Sequence, residues 1–187
     1  MYNAITILLV LILTFMFWSV IAYNGLATLR HHVKNAWQQI DVQLKRRADL
    51  IPNLVSTVKG AMQFEKETLA AVVEARAMAV GAKTVGQRAT AEGALSEALG
   101  RLFAVVESYP DLKSNKNILQ LQEELTSTEN RIGYARQLYN DLVRQFNTRQ
   151  TLFPTLIIAS LLGFRQAEYF QIEAGDRAVP KVDLGAR

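Results

Sequence analysis

Residues 33–58 read VKNAWQQIDVQLKRRADLIPNLVSTV. Val33, Trp37, Ile40, Leu44, Arg47, Ile51, Leu54 and Val58 recur there at alternating steps of four and three, and the steps run on to Ala61 and Glu65. That spacing keeps one helix face turned towards a partner, so the stretch predicts a long α-helix with an apolar seam. Pro52 falls inside it and removes one backbone donor. The apolar phase passes from Leu44 through Ile51 to Val58 undisturbed, which predicts a kinked but continuous helix. The alternative is a fresh helix capped by Asp49, with Pro52 in its first turn.

Towards the N-terminus, Ala4 to Ala22 carries no charged residue, and its polar side chains are Thr6, Thr14 and Ser19. About 19 residues at the helical rise span roughly 29 Å, the thickness of a bilayer's hydrocarbon core. Ala4, Leu11 and Ala22 are therefore read as membrane-spanning, with Trp18 near the end of the span, where its ring favours the interface. Tyr23, Arg30 and Lys34 are read as interfacial, with aromatic and basic side chains at headgroup level. A cleaved signal peptide would need a basic segment before a shorter apolar run and a small-residue cleavage site. This run is too long and nothing basic precedes it, so a retained single-pass anchor is expected. Arg30, Lys34, Lys45, Arg46 and Arg47 all follow the span. The positive-inside rule then puts the N-terminus outside and the rest of the chain in the cytoplasm, on a bacterial inner membrane.

Downstream, strand signals are nearly absent and helical spacing recurs. Leu69, Val72, Val73 and Arg76 suit a helix ending near Gly81. Leu95, Leu99, Leu102 and Val106 suit another, from near Gly86 to Tyr109-Pro110. The clearest seam is Ile118, Leu121, Leu125, Thr128, Ile132, Ala135, Tyr139, Leu142 and Phe146. Short connections make such helices antiparallel neighbours. The expected fold is all-α, an N-terminal transmembrane helix continuing into an antiparallel up-and-down bundle. Residues 1–24 would form the anchor, 25–165 the bundle and 166–187 an extended or disordered tail. Leu152 to Phe164 is apolar, interrupted by Pro154 and too short to cross a bilayer. It is either a last helix packed on the bundle or an interfacial segment touching the inner leaflet.

Catalytic and ligand-binding patterns fail. The chain has no cysteine, which excludes thiol chemistry and thiolate metal sites. His31 and His32 are its two histidines, and adjacent helical side chains diverge by about 100°, too far to chelate one metal. Gly81 to Arg88 has the glycine spacing of a phosphate loop. However, Gln87 stands where a lysine is needed and no strand precedes it, so it reads as a turn between helices. Two features resist a bland account. Arg47 occupies a seam position, where an unpaired charge costs several kcal/mol. Glu129, or failing that Glu124, is its expected partner, unless the side chain snorkels to the surface. Gln122, Glu129, Arg136 and Val143 edge the last seam at seven-residue spacing, a pattern that sets helix register or a subunit contact.

Ile40 to Arg47, Asp49 to Val55 and Thr57 to Gly60 resemble the signature of the LemA family. Tyr23-Asn24, Glu65, Ala75-Arg76, Tyr109-Pro110, Leu112-Lys113, Glu124-Leu125, Thr128-Glu129-Asn130, Ala135-Arg136, Tyr139-Asn140, Phe153-Pro154, Ile158-Ala159 and Gly163-Phe164 extend the resemblance over nearly the whole chain. Gln63 and Phe64 depart from the histidine often found there, which weakens any histidine role. The resemblance implies an anchored antiparallel bundle with no established enzymatic activity. It implies links to internal-membrane formation in magnetotactic bacteria and to a membrane metalloprotease.

The expected function is a non-enzymatic, membrane-anchored scaffold that self-associates and organises or shapes the inner membrane. Its partners would be the lipid bilayer, further copies of itself and other inner-membrane proteins, with no cofactor and no small-molecule substrate. The alternative is an adaptor presenting partners to a membrane protease or signalling protein. A hydrolase would need a pocket with perturbed carboxylates. Nucleic-acid binding is not expected, because anionic lipid accounts better for basic residues beside the span. Trp37, Leu44, Arg47, Ile51, Leu125, Glu129, Arg136 and Tyr139 are the residues expected to matter in the bundle.

Overall fold

The computed structural model describes residues 2–60, 62 and 65–171. Ala61, the Gln63-Phe64 departure and the tail from Glu173 lie outside them. The described residues form six helices: α1 (Tyr2–Lys59), α2 (Lys66–Gly81), α3 (Val85–Val106), α4 (Pro110–Lys113), α5 (Lys116–Thr151) and α6 (Thr155–Leu161). No strand occurs among them. Anchor and first bundle helix are one element of 58 residues, about 87 Å long at the standard rise.

The seam of α1 points inward. Leu26, Ile40, Leu44, Ile51, Leu54 and Val58 are all 0–1% exposed. The helix passes through Pro52, and a specific contact accounts for this. A proline at 52 leaves the Ala48 carbonyl without its helical donor. Arg76, from α2, places its Nε 2.7 Å from that carbonyl oxygen and donates to it. The orphaned acceptor is thus satisfied from a neighbouring helix and α1 need not end.

Ion pairs and ring contacts give the directions. Along α1, Trp37 meets Tyr139 and Arg47 meets Glu129, so α1 and α5 run antiparallel. Asp41 meets Arg88 and Arg47 meets Glu92, so α1 and α3 run parallel, with α2 returning between them. The bundle is up-and-down, as the short turns predicted.

Local chemistry sets the helix ends. Thr84 accepts from the Gln87 backbone N–H, while the Gln87 side chain accepts from the Thr84 N–H. This reciprocal cap closes the N-terminus of α3 and is the role of the glutamine in the phosphate-loop lookalike. Asn115 caps α5 by accepting from the N–H groups of Asn117 and Ile118. Pro110, free of any need to donate, opens the short α4. The helix expected to end near Gly81 does so; its buried face is Val72, Ala75 and Ala79, and Val73 is 50% exposed. Val72 lies on the same stripe as Ala75 and Ala79, three and seven residues on, and Val73 falls outside it.

Beyond α6 the chain is extended over the described residues to Gln171 and is pinned to α5. Asn147 accepts from the Ala167 N–H at 2.8 Å and donates to its carbonyl at 2.9 Å. Asn140 does the same to Phe170, at 2.9 and 3.1 Å. Seven residues of helix rise about 10.5 Å and three of extended chain about 10 Å, so the two amides match the segment's repeat. Phe170 is thereby buried against Trp37, with ring centroids 5.9 Å apart.

If Arg76 is what lets α1 continue, Arg76→Ala costs about 1–3 kcal/mol by stranding the Ala48 carbonyl. In a Pro52→Ala background, which restores the missing N–H, the same substitution costs clearly less. Thermal unfolding of the full chain and both variants, alone and combined, measures that coupling. Strict additivity would show that the bond does not serve this purpose.

Candidate functional site

Two apolar clusters divide the bundle. One, nearer the N-terminal run, gathers Leu26, Ile40, Leu44, Ile132, Val143 and Phe146. The other gathers Ile51, Leu54, Val58, Leu95, Leu102 and Leu125 at the far end. On α1 they part between Leu44 and Ile51, and Arg47 stands in that gap, 3% exposed. Its guanidinium therefore stays inside. Nη1 lies 2.8 Å from Glu129 of α5 and 3.4 Å from Glu92 of α3, and Nη2 donates to Ser96 at 2.8 Å. Glu124 instead meets Arg46 at 3.8 Å, on the surface. Arg88 continues the chain of charges, 3.6 Å from Glu92 and 3.2 Å from Asp41. Asp41, Arg88, Glu92, Arg47 and Glu129 thus tie α1, α3 and α5 in one layer.

Asp41, Arg88 and Glu92 are the members that sequence reading did not assign to the layer, and Glu92 is the buried one. Its own seam carries the signal. Stepping back from Val106 through Leu102, Leu99 and Leu95 by four and three lands on Glu92 and then Arg88. Burial pushes the Glu92 carboxyl above its usual range, and nearby Glu129 adds to this; Arg47 and Arg88 oppose the shift without cancelling it. A shallow cavity of about 250 Å³ reaches Arg47, Ser96 and Glu129 from outside. Nη1 and Nη2 of Arg47 are already engaged by Glu129, Glu92 and Ser96.

The other expected residues fall as follows. Leu44, Ile51, Leu125 and Tyr139 are buried, and Trp37 is half-buried. The Tyr139 hydroxyl donates to the Glu168 carbonyl at 2.8 Å, and burial pushes its pKa up to about 12. Arg136 is half-buried and has no ion pair among the described residues, so the structure does not bring it to the charged layer.

At the other end, Ala4 and Leu11 are exposed, and Trp18 and Ala22 are half-buried. Large apolar side chains from Ile5 to Phe17, Leu11 and Phe15 among them, are each more than half exposed. Thr14 and Ser19 return their hydroxyls to the carbonyls of Val10 and Phe15, both at 2.8 Å. The apolar part of α1 is long enough to cross a membrane, and none of it is buried in the fold. Left in water, each such side chain would forfeit about 1.5–3 kcal/mol. Tyr23 packs edge-on against Phe164, and Arg30 lies over the same ring at 5.2 Å. Lys34 is exposed beside it on α1.

The family model of the LemA family matches residues 36–184, the span that holds the charged layer and the α5 seam. The chain belongs to the LemA family. It is 27% identical to "Magnetosome protein MamQ 2" of Paramagnetospirillum magneticum, over 84% of this chain and 68% of that one. It is 26% identical to "Magnetosome protein MamQ" of Magnetospirillum gryphiswaldense, with the same coverage. To "Protein LemA" of Metamycoplasma hominis it is 28% identical, over 82% of this chain and 71% of that one. These names describe no catalysis. With its N-terminal apolar helix, the chain is a membrane-associated LemA protein.

Two outcomes follow for the charged layer. Arg47→Ala leaves Glu92 buried without its main partner and costs about 3–5 kcal/mol, read as a fall in unfolding temperature of the full chain in detergent. Glu92 ionises less readily folded than unfolded, so its contribution is complete below the ordinary value of 4.5 and is lost as pH rises through the raised pKa. The stability of wild type relative to Glu92→Gln therefore declines from acid to neutral pH. A gap that widened instead would reverse the sign assigned to Glu92.

Proposed function

We propose that this LemA protein is a non-enzymatic scaffold of the bacterial inner membrane, anchored by residues 1–24 and acting through its bundle, residues 25–165. The observation that carries this reading is α1 itself, where the exposed apolar run and the buried seam are one helix. Lateral order among bundles is then order among membrane spans. Basic residues on the bundle side of the span favour a cytoplasmic bundle. Arg47 is spent inside the fold, which leaves Arg30, Lys34, Lys45 and Arg46 for that role. Similarity to proteins named for the magnetosome supports a part in organising or shaping a membrane.

Self-association belongs to the proposal. Val42, Tyr134 and Leu138, from α1 and α5, are 62%, 75% and 48% exposed along one cleft on the side of the bundle. Anchors hold neighbouring copies upright and side by side, which raises their effective concentration at such a face. Extraction into nanodiscs followed by mass measurement is expected to recover a homogeneous multimer, reduced in mass by Tyr134→Asp. Recovery of monomers alone, with crosslinking in native membranes also yielding monomers, would refute the scaffold. The adaptor reading is favoured by a separate apolar groove of about 1110 Å³ between α1 and α2, reaching Val55, Met62, Leu69 and Val73. It would be indicated by a defined hetero-complex in the same experiment.

A further inference from the structure

Gln150 to Phe164 contains no charged side chain and is bounded by Arg149 and Arg165. Within it, α6 rests on α1 through buried Ile158 and Ala159. The exposed side chains of the stretch include Phe153 at 80%, Leu161 at 78%, Leu162 at 52% and Leu156 at 47%. The turn that closes it is built for this placement. Gly163 takes φ +68, the Phe164 N–H bonds the Ala159 carbonyl and the Gly163 N–H bonds that of Ser160. This glycine-dependent helix stop sends the chain back towards the bundle, seating Phe164 against Tyr23 and Phe146.

The height of α6 along α1 decides what surrounds it. Ile157, Leu161 and Leu162 share a cleft with Phe15, Val20 and Tyr23 of α1. Phe15 lies about 12 Å above Tyr23 at the helical rise. Phe15 and Val20 belong to the apolar run whose side chains the fold leaves uncovered, and Tyr23 follows directly at its end. An element packed beside them occupies the same layer as they do. The charges fall at the edge of that layer. Arg149 approaches α1 at Gly25, and Arg30 lies over Phe164.

We propose that the Leu152–Phe164 hairpin is a second membrane-inserted element, its outward face seated among the acyl chains of the leaflet nearest the bundle and collared by Arg30, Arg149 and Arg165. Unlike α1 it enters and leaves on one side, since α6 has seven residues and about 20 are needed to cross. The inference needs the anchor but not self-association, so it goes beyond the scaffold reading.

The chain lacks cysteine, so single probes can be placed directly. Phe153→Cys, Leu161→Cys, Phe17→Cys and Ser114→Cys full-length variants carry an environment-sensitive fluorophore. They are reconstituted in phosphatidylcholine–phosphatidylglycerol nanodiscs, with and without acyl-chain nitroxide lipid. Phe17 reports the span and Ser114, exposed at the far end of the bundle, reports water. Probes at 153 and 161 are expected to be quenched by nitroxide lipid several-fold more than at 114, approaching 17, and to resist aqueous iodide. Iodide-accessible probes that the lipid does not quench would overturn the insertion. Probes shielded from both quenchers would overturn it too, by showing a second protein surface over α6. If the probe at 17 also escaped lipid quenching, the anchor would fail and the insertion with it. A multimer mass is unaffected by any of these results, so the scaffold is judged separately.

Discussion

The bond from Arg76 to the Ala48 carbonyl carries more of this structure than its size suggests. Helix α1 must run from the apolar N-terminal segment to the far end of the bundle, yet Pro52 withdraws a donor well inside its buried seam, between Ile51 and Leu54. A carbonyl stranded at that depth favours a break or a bend towards water. Supplying the donor from α2 keeps Ile51, Leu54 and Val58 in phase with Leu44 and Ile40. It also ties α2 to one point on α1. Continuity of the long helix is thus a tertiary property, held by a side chain from elsewhere.

The charged layer at Arg47 complements this constraint. An apolar seam alone tolerates sliding by a heptad, because one leucine resembles another. Arg47 between Glu92 and Glu129, with Arg88 reaching Asp41, matches at one register only. Burial makes that choice expensive, as the upward displacement of Glu92 records. Such a layer is therefore better explained by fixing how α1, α3 and α5 meet than by adding to stability. The Asn140 and Asn147 amides apply the same logic to an extended segment, recognising its backbone repeat rather than its side chains.

Much of this was legible in the sequence because helical periodicity is a local signal. The seams through Leu44 and Ile51 and through Leu125 and Tyr139, the turn at Gly81 to Gly86 and the uncharged run from Ala4 to Ala22 follow from spacing and composition alone. Arg47 stood out because a charge on a seam is an anomaly, and the α5 position opposite it carried an acid. Glu92 was hidden by a shorter seam, whose four apolar members begin just after it. The role of Arg76 was invisible for another reason: only packing shows which helix passes the carbonyl that Pro52 leaves open. The inward face of α2 was not legible because two adjacent valines offer two phases, and the alanines at 75 and 79 that settle the choice are weak markers of a core.

The proportions of α1 have a mechanical consequence. From Gly25 to Lys59 the helix extends about 52 Å, against roughly 29 Å for the apolar run at the same rise. With α5 packed along it and no flexible joint between the two parts, the bundle is a lever arm nearly twice as long as the segment it turns. With the apolar run seated in a bilayer as proposed, a sideways push at the far end would become a torque on it, and a change in the thickness or tilt of the surrounding lipid would swing the far end in return.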